Sequence, residues 1–306
     1  MLKVKGIYKS FNENEVLKGI DLEIKEGEVY GLIGANGAGK TTLFNIIAQV
    51  LQANSGEIYI DETQIKNMND LSQKIGYVID NPSMFEYMNA YEYLDFIYSP
   101  SNKTKVEVLS RSKEILKLVG LDNVGTKQIK SFSRGMKQRM GIAAGLIFEP
   151  QLILMDEPSS ALDPEGRFEV LNIIKDLKKQ GKTIILSTHI LNDIERACDR
   201  VGLLINGKIV VEGSITDVLA RYNQSVLKIS CAGEDAEKIK NSVKEKKLSK
   251  SVEITTDGIE IAFSGNENKK QIIKTLLEKD IDFNEITLKR NTLEEIYLME
   301  SKGGKK

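Results

Sequence analysis

The chain has 306 residues, enough for one large domain or two ordinary ones. Apolar residues make up 41% and charged residues 28%, the balance of a soluble globular protein. Basic and acidic side chains number 43 and 44, a formal net charge of −1, so the basic excess typical of a nucleic-acid binder is missing. Cys198 and Cys231 have no C-x-x-C spacing, which argues against a zinc site or disulfide framework and fits a reducing compartment. The opening MLKVKGIYKSF has no apolar signal core. No run of about 18 apolar residues occurs, so no membrane-spanning helix is expected.

The first part reads as β-rich. Ile20, Leu22 and Ile24 alternate with Asp21, Glu23 and Lys25, as in a half-buried antiparallel strand. Val29 to Ile33 predicts a buried strand, followed by GANGAGKTT and the apolar-rich LFNIIAQVL, hence strand, glycine-rich loop, helix. Ser55-Gly56 precedes another alternating strand, Glu57 to Ile60. From about residue 82 to 150 helical spacing dominates, as in Ile115, Leu116, Leu118 and Val119. Phe85, Tyr87, Tyr91, Tyr93, Phe96 and Tyr98 cluster there. A helical layer packing its own core and a partner-docking surface explain them equally well.

After Pro150 the α/β texture returns. Leu152 to Met155 is a short apolar run ending at Asp156-Glu157-Pro158, and Val170, Ile173, Ile174 and Leu177 mark one face of the next helix. Gly181 stops that helix before the strand of IILSTHI. Strands separated by helices predict a parallel sheet with right-handed crossovers. His189, just past that strand, is the single histidine; by position alone it reads as an ordinary packed side chain.

Near Tyr222 the pattern changes, placing a first domain at 1–222 and a second at 223–306. The second reads as strand Val226 to Ser230, a helix at Ala236, Ile239 and Val243, and a hairpin of Val252 to Thr256 and Ile259 to Phe263 around Asp257-Gly258. A helix at Ile272 to Leu277, a strand from Ile281 to Leu288 and a helix from Thr292 to Met299 complete it. The order βαββαβα predicts a small ferredoxin-like α+β domain.

Gly34 to Thr41 satisfies G-x-x-x-x-G-K-[ST], with the required strand before and helix after. Glycines let the backbone curl so that its N–H groups point at phosphate oxygens, and the helix N-terminus adds its dipole. Lys40 is expected on the β- and γ-phosphates and the Thr41 hydroxyl on Mg²⁺. An apolar strand delivers Asp156 to the same Mg²⁺, and Glu157 stands next in line to polarise an attacking water.

With these motifs in this order, the first 220 or so residues resemble the ATP-binding subunits of ABC transporters. The resemblance implies an α/β P-loop NTPase with a mixed sheet core, an antiparallel β subdomain and a helical subdomain at about 82–150. It implies ATP contacts from Gly34, Asn36, Gly37, Ala38, Gly39, Lys40, Thr41 and Thr42, and from Phe11 stacked on adenine; Phe11 is almost as plausible as a core aromatic. Ser133-Arg134-Gly135-Met136-Lys137-Gln138 resembles the family signature that binds ATP held by the opposite subunit. By chemistry, Ser133 can cap the following helix and Gly135 allows close approach to a phosphate. Ser159 to Asp163 resembles the D-loop of the dimer seam, and His189 matches the switch histidine that touches the γ-phosphate beside Lys40 and Glu157.

Two features depart from the common pattern. Asp80 takes the slot of a glutamine that contacts Mg²⁺ and the attacking water, with Asn81 offering an amide one residue on. Arg134 and Met136 replace a common glycine and glutamine. FSRGMKQR, Asp163-Pro164 and the closing TLEEIYLME look most like bacterial drug and peptide-antibiotic exporters of the bacitracin and lantibiotic type. These carry an accessory C-terminal domain and pair with a separate membrane permease. That resemblance implies a homodimeric, Mg²⁺-dependent ATPase on the cytoplasmic face of the cell membrane, with no nucleic-acid partner. A soluble ABC ATPase acting on ribosomes or DNA is a rival, though this chain has one phosphate loop and no long coiled coil. A regulatory nucleotide binder is a second, but it is expected to lose Glu157 or His189, and both are present.

Overall fold

The computed structural model describes residues 1–303 except 72–73, 102, 161, 223–224, 280 and 290–291. Two compact units emerge, Met1–Ile215 and Thr216–Lys306, and each is described by itself.

In chain order the first unit contains β1 (Leu2–Phe11), β2 (Asn14–Ile24), β3 (Val29–Ile33), α1 (Lys40–Ile47), β4 (Ser55–Ile60), β5 (Thr63–Ile65), β6 (Ile75–Val78) and α2 (Ala90–Tyr98). It continues with α3 (Lys105–Leu118), α4 (Arg134–Leu146), β7 (Leu152–Asp156), α5 (Pro164–Lys179), β8 (Thr183–Thr188), α6 (Leu191–Ala197), β9 (Arg200–Ile205) and β10 (Lys208–Ser214). One sheet has the order β2-β1-β4-β5, antiparallel throughout. The larger sheet runs β10-β9-β3-β8-β7-β6, with only β9–β10 antiparallel.

Burial explains the two textures. Strands β3, β7 and β8 are buried along their whole length and therefore read as unbroken apolar runs. Strand β2 shows one face to water, so Ile20, Leu22 and Ile24 alternate with polar residues. Leu43, Phe44, Ile46 and Ile47 of α1 join a single core with inward residues of both sheets, including Leu17, Ile20, Leu32 and Leu154. Removing a buried Phe44 side chain from such a core costs about 3–5 kcal/mol. The helix closes at Ile47 and Gln49 adopts φ 57°, so the rest of the apolar segment after the glycine loop leaves the helix.

Helices α2, α3 and α4 form the layer between β6 and β7 in the chain. Asn89 and Thr104 start α2 and α3 with capping boxes closed by Glu92 and Glu107. Helix α4 lies close on β6 because Gly76 has no side chain; a Cβ there would sit 2.2 Å from the Gly145 carbonyl oxygen. The aromatic cluster divides. Tyr93 is buried, whereas Phe85, Tyr87 and Phe96 are exposed, with Phe85 5.1 Å edge-on to Phe96 and 5.9 Å from Tyr87 between ring centres.

The second unit holds α7 (Ile215–Arg221, starting at the boundary), β11 (Val226–Ser230), α8 (Gly233–Glu245), β12 (Ser251–Thr255), β13 (Gly258–Ala262), α9 (Gly265–Glu278), β14 (Glu285–Lys289) and α10 (Leu293–Gly303). Its sheet has the order β12-β13-β11-β14, all neighbours antiparallel, in a split-βαβ connectivity. Leu227, Ile229, Ile239, Val243, Ile259, Ile261, Ile272 and Leu276 make its own core. The strand expected from Ile281 begins only at Glu285. β14 pairs residue for residue with the five residues of β11, so the ladder supports no more, and Ile281 and Phe283 pack on the core without it.

Candidate nucleotide site

The carboxyl ends of β3, β8 and β7 lie side by side in the parallel part of the sheet, and each delivers a polar group to one place. This is where a ligand crevice forms in an open α/β sheet. After β3 the chain turns through Gly37 at φ 81° and Gly39 at φ 108°, conformations that side chains disfavour, and Lys40 opens α1. Lys40 is buried. Its Nζ donates to the carbonyls of Gly34 at 2.7 Å and Ala35 at 3.3 Å, which aims the ammonium across the mouth of its own loop.

Strand β7 ends at Asp156, 2% exposed, which accepts a hydrogen bond from the Ser187 hydroxyl. Glu157 follows at φ 48°, a left-handed conformation that costs a non-glycine residue about 1–3 kcal/mol and persists only where neighbours hold it. Those neighbours are on β8. The Glu157 N–H donates to the Ser187 carbonyl at 3.0 Å and to its hydroxyl at 3.1 Å. The turn aims the Glu157 carboxylate between two cations or donors: Oε1 lies 3.2 Å from Lys40 Nζ, and Oε2 lies 2.8 Å from His189 Nδ1. The Oε1 contact is an ion pair without hydrogen-bond alignment, so that buried oxygen keeps an acceptor position unfilled.

A cavity of about 450 Å³ opens beside Lys40 and Glu157, lined also by Asn36, Gly37, Gly39, Thr41, Thr42 and Asp80, with Val16 and Ala35; Asp156 and His189, like Gly34 and Ala38, are not among its lining residues. Asp80, two residues beyond β6, accepts from the Ser160 hydroxyl. Tyr77 on β6 donates to Asn45 Oδ1 at 3.0 Å; burial, and next the Asp156 carboxylate, push its phenol far above its usual range.

Not every expected residue meets here. Ser133 caps α4, accepting from the Met136 N–H at 3.2 Å, and Asp163 caps α5, accepting from the Gly166 N–H at 2.9 Å. Ser133, Gly135 and Asp163 line a different cavity, of about 470 Å³. Ala161, between them in the D-loop-like segment, lies outside the described residues. Phe11 is 46% exposed at the end of β1 with Lys9 Nζ 5.1 Å over its ring, and it is not among the residues lining the phosphate-loop cavity.

Three participants escaped sequence reasoning. Ser187 is a fully buried hydroxyl in an apolar strand, and a buried hydroxyl demands a partner, which was the available signal. Val16 reaches the cavity from β2, a proximity no local pattern encodes. Asp193 is a buried carboxylate on α6, bonded to Ser159 and Arg167; its place beside Ile194 and Ala197 on the buried face was the hint.

Comparison with known proteins agrees with this geometry. The ABC transporter family profile matches residues 17–160. An uncharacterised ABC transporter ATP-binding protein of Synechocystis is 40% identical over 207 residues, 67% of this chain, and the chain spans 58% of that relative's length. The lantibiotic transport ATP-binding protein SrtF of Streptococcus pyogenes is 38% identical over 212 residues, covering 69% of this chain and 90% of SrtF. An ATP-binding cassette solved as a dimer in a post-hydrolysis state with ADP and Pi superposes with a TM-score of 0.64 at 29% identity, over 70% of this chain and 99% of that one. The phosphate loop at the strand ends and these likenesses lead to one conclusion: the chain belongs to the ABC transporter family, among its ATP-binding, ATP-hydrolysing proteins.

Proposed function

We propose that this protein energises an ABC exporter, hydrolysing ATP to drive a drug, peptide antibiotic or other amphipathic substrate through a separate membrane subunit. The observation that carries the reading is the Glu157 carboxylate held between Lys40 and His189 at the mouth of the phosphate loop. Lys40 and the loop N–H groups hold the phosphates, and Glu157 takes a proton from the attacking water. His189 orients Glu157 and, with ATP bound in a closed dimer, reaches the γ-phosphate. Most of the rate then comes from position and charge.

Thr41, Asp156 and Asp80 are the residues to hold Mg²⁺. Their hydroxyl and carboxylate oxygens are hard donors that suit it, and a magnesium site with one or two carboxylates is completed by substrate phosphates and water. Consistent with a shared site, no cluster of three or more His, Cys, Asp or Glu among the described residues is arranged to hold a metal unaided. The ion would supply charge neutralisation on the transferring phosphoryl group.

Ser133, Gly135 and Asp163 face a cavity separate from the phosphate loop, which supports a head-to-tail homodimer in which each signature completes the partner's site. Phe11, exposed at the end of β1, is the adenine-stacking candidate. For the permease, an apolar cavity of about 300 Å³ between β6 and α4, lined by Ile79, Pro82, Tyr93, Ile97, Ala144 and Phe148, supports docking of a membrane-subunit segment. No helix among the described residues is long and apolar enough to cross a membrane, and a cytoplasmic, membrane-peripheral location follows from the permease partnership. The name of SrtF, a lantibiotic transport protein, supports a peptide-antibiotic class of substrate. The test is co-purification from detergent-solubilised membranes. A polytopic partner that stimulates ATP hydrolysis is the expected result, and sedimentation with ribosomes instead overturns the reading.

A further inference from the structure

We infer that Asp193 is a positioning residue: it locks the loop after β7 to the turn that carries His189, so that Glu157 and His189 act as one unit. The inference rests on the ATPase reading above.

Asp193 stands in the first turn of α6, four residues after His189, and is 3% exposed. A carboxylate that deep must be both paired and hydrogen-bonded. It is: Oδ1 lies 2.8 Å from the Arg167 guanidinium of α5, and Oδ2 accepts from the Ser159 hydroxyl at 2.7 Å. Ser159 is itself 2% exposed and follows Glu157 by two residues. Between Asp193 and His189 the turn is closed by Asp193 N–H to Ile190 O at 3.1 Å and Ile190 N–H to Thr188 Oγ1 at 3.0 Å. A pull on Asp193 is therefore passed to His189 with little slack.

The two loops are joined in succession by Ser187 with Asp156, His189 with Glu157, and Asp193 with Ser159. The outermost joint is the only one of the three that brings in a guanidinium, the part-buried Arg167 paired with the buried Asp193 carboxylate. It closes the far side of the loop in which Glu157 holds φ 48°, a conformation its neighbours must maintain. Ser160, next to Ser159, turns the opposite way to Asp80, so the same short loop connects the Asp80 segment to α6. Asp193 touches neither cavity wall nor phosphate loop, and its effect must pass through Glu157 and His189.

The test is a double-mutant cycle on the full chain with ATP hydrolysis and ATP binding both measured. D193N should lower kcat about 10- to 100-fold, the scale of a small misplacement of reacting groups, with ATP affinity unchanged. D193N/H189A should lose clearly less than the product of the two single losses, because one half of the unit that Asp193 fixes is already gone. S159A/H189A should show the same non-additivity, and S159A serves if D193N fails to fold. Losses that multiply, or a D193N or S159A enzyme with normal kcat and only a lower melting temperature, overturn the inference. A wild type that hydrolyses no ATP overturns the underlying reading as well, so the two failures are distinct.

Discussion

Glu157 and His189 stand 32 positions apart in the chain, yet the carboxylate Oε2 and the imidazole Nδ1 meet at 2.8 Å. Adjacent parallel strands make this possible. β7 and β8 pair in register from Leu152 with Thr183 to Asp156 with Ser187, so the residues just past each strand end are neighbours. Lys40 reaches the other carboxylate oxygen from the loop that follows β3.

Glu157→Gln should keep ATP binding and slow hydrolysis by two to four orders of magnitude, the range for loss of a general base, roughly 10²–10⁴-fold. The amide keeps the size of the side chain but not its basicity. Single-turnover kinetics with a parallel binding titration, and gel filtration with ATP to detect a trapped dimer, check this. Wild-type turnover sinks the assignment of Glu157.

Lys40→Ala removes a buried ammonium and, in the proposed role, its charge-assisted bond to phosphate, a contact of about 1.5–3 kcal/mol. ATP affinity should fall about 10- to 100-fold, with ADP affected less than ATP because the γ-phosphate is the group lost to it. Calorimetric titration of both nucleotides measures the difference, and equal losses for the two would show that Lys40 does not reach the γ-phosphate.

Asp80 accepts from Ser160 and lines the phosphate-loop cavity, while its neighbour Ile79 lines the cavity between β6 and α4. Asp80→Ala should shift the Mg²⁺ concentration for half-maximal hydrolysis and weaken coupling of hydrolysis to transport. If transport and drug-independent hydrolysis both match wild type, Asp80 has no coupling role.

The second unit has its own core, distinct from the core that packs behind the phosphate loop. Deleting residues 223–306 should weaken dimerisation while ATP binding by the remaining chain persists. Sedimentation across a concentration series reads this out, and an unchanged dimer constant excludes a dimer-stabilising role.

Acid should loosen the start of α3. The Glu107 carboxyl is held below its ordinary range, first by the Thr104 backbone N–H, then by the Thr104 hydroxyl and Lys103. A depressed carboxyl contributes stability above its unfolded-state pKa of about 4.5 and loses it as pH falls through the folded value. Denaturation of wild type and Glu107→Gln should therefore differ at neutral pH and converge as pH falls from about 4.5 through the lower folded value. A constant gap across that window would refute the linkage.

Much of the candidate site was legible from residues alone. The phosphate loop has a rigid spacing because a nucleotide's phosphates demand it, and buried parallel strands announce themselves as unbroken apolar runs. Those two facts carried Lys40, Thr41, Asp156 and Glu157. His189 was not legible that way; alone, it read as a packed side chain, and only a family likeness moved it toward the site. What decided its surroundings was strand order. The sheet places β8 between β3 and β7, and no local pattern states which strands are neighbours. The same holds for Ser187 under Asp156, for Asp80 on Ser160, and for Ser159 on Asp193, each a contact across a long stretch of chain. Periodicity reports what a residue needs, burial or water. Which partner satisfies a buried carboxylate or hydroxyl is settled only when the elements pack.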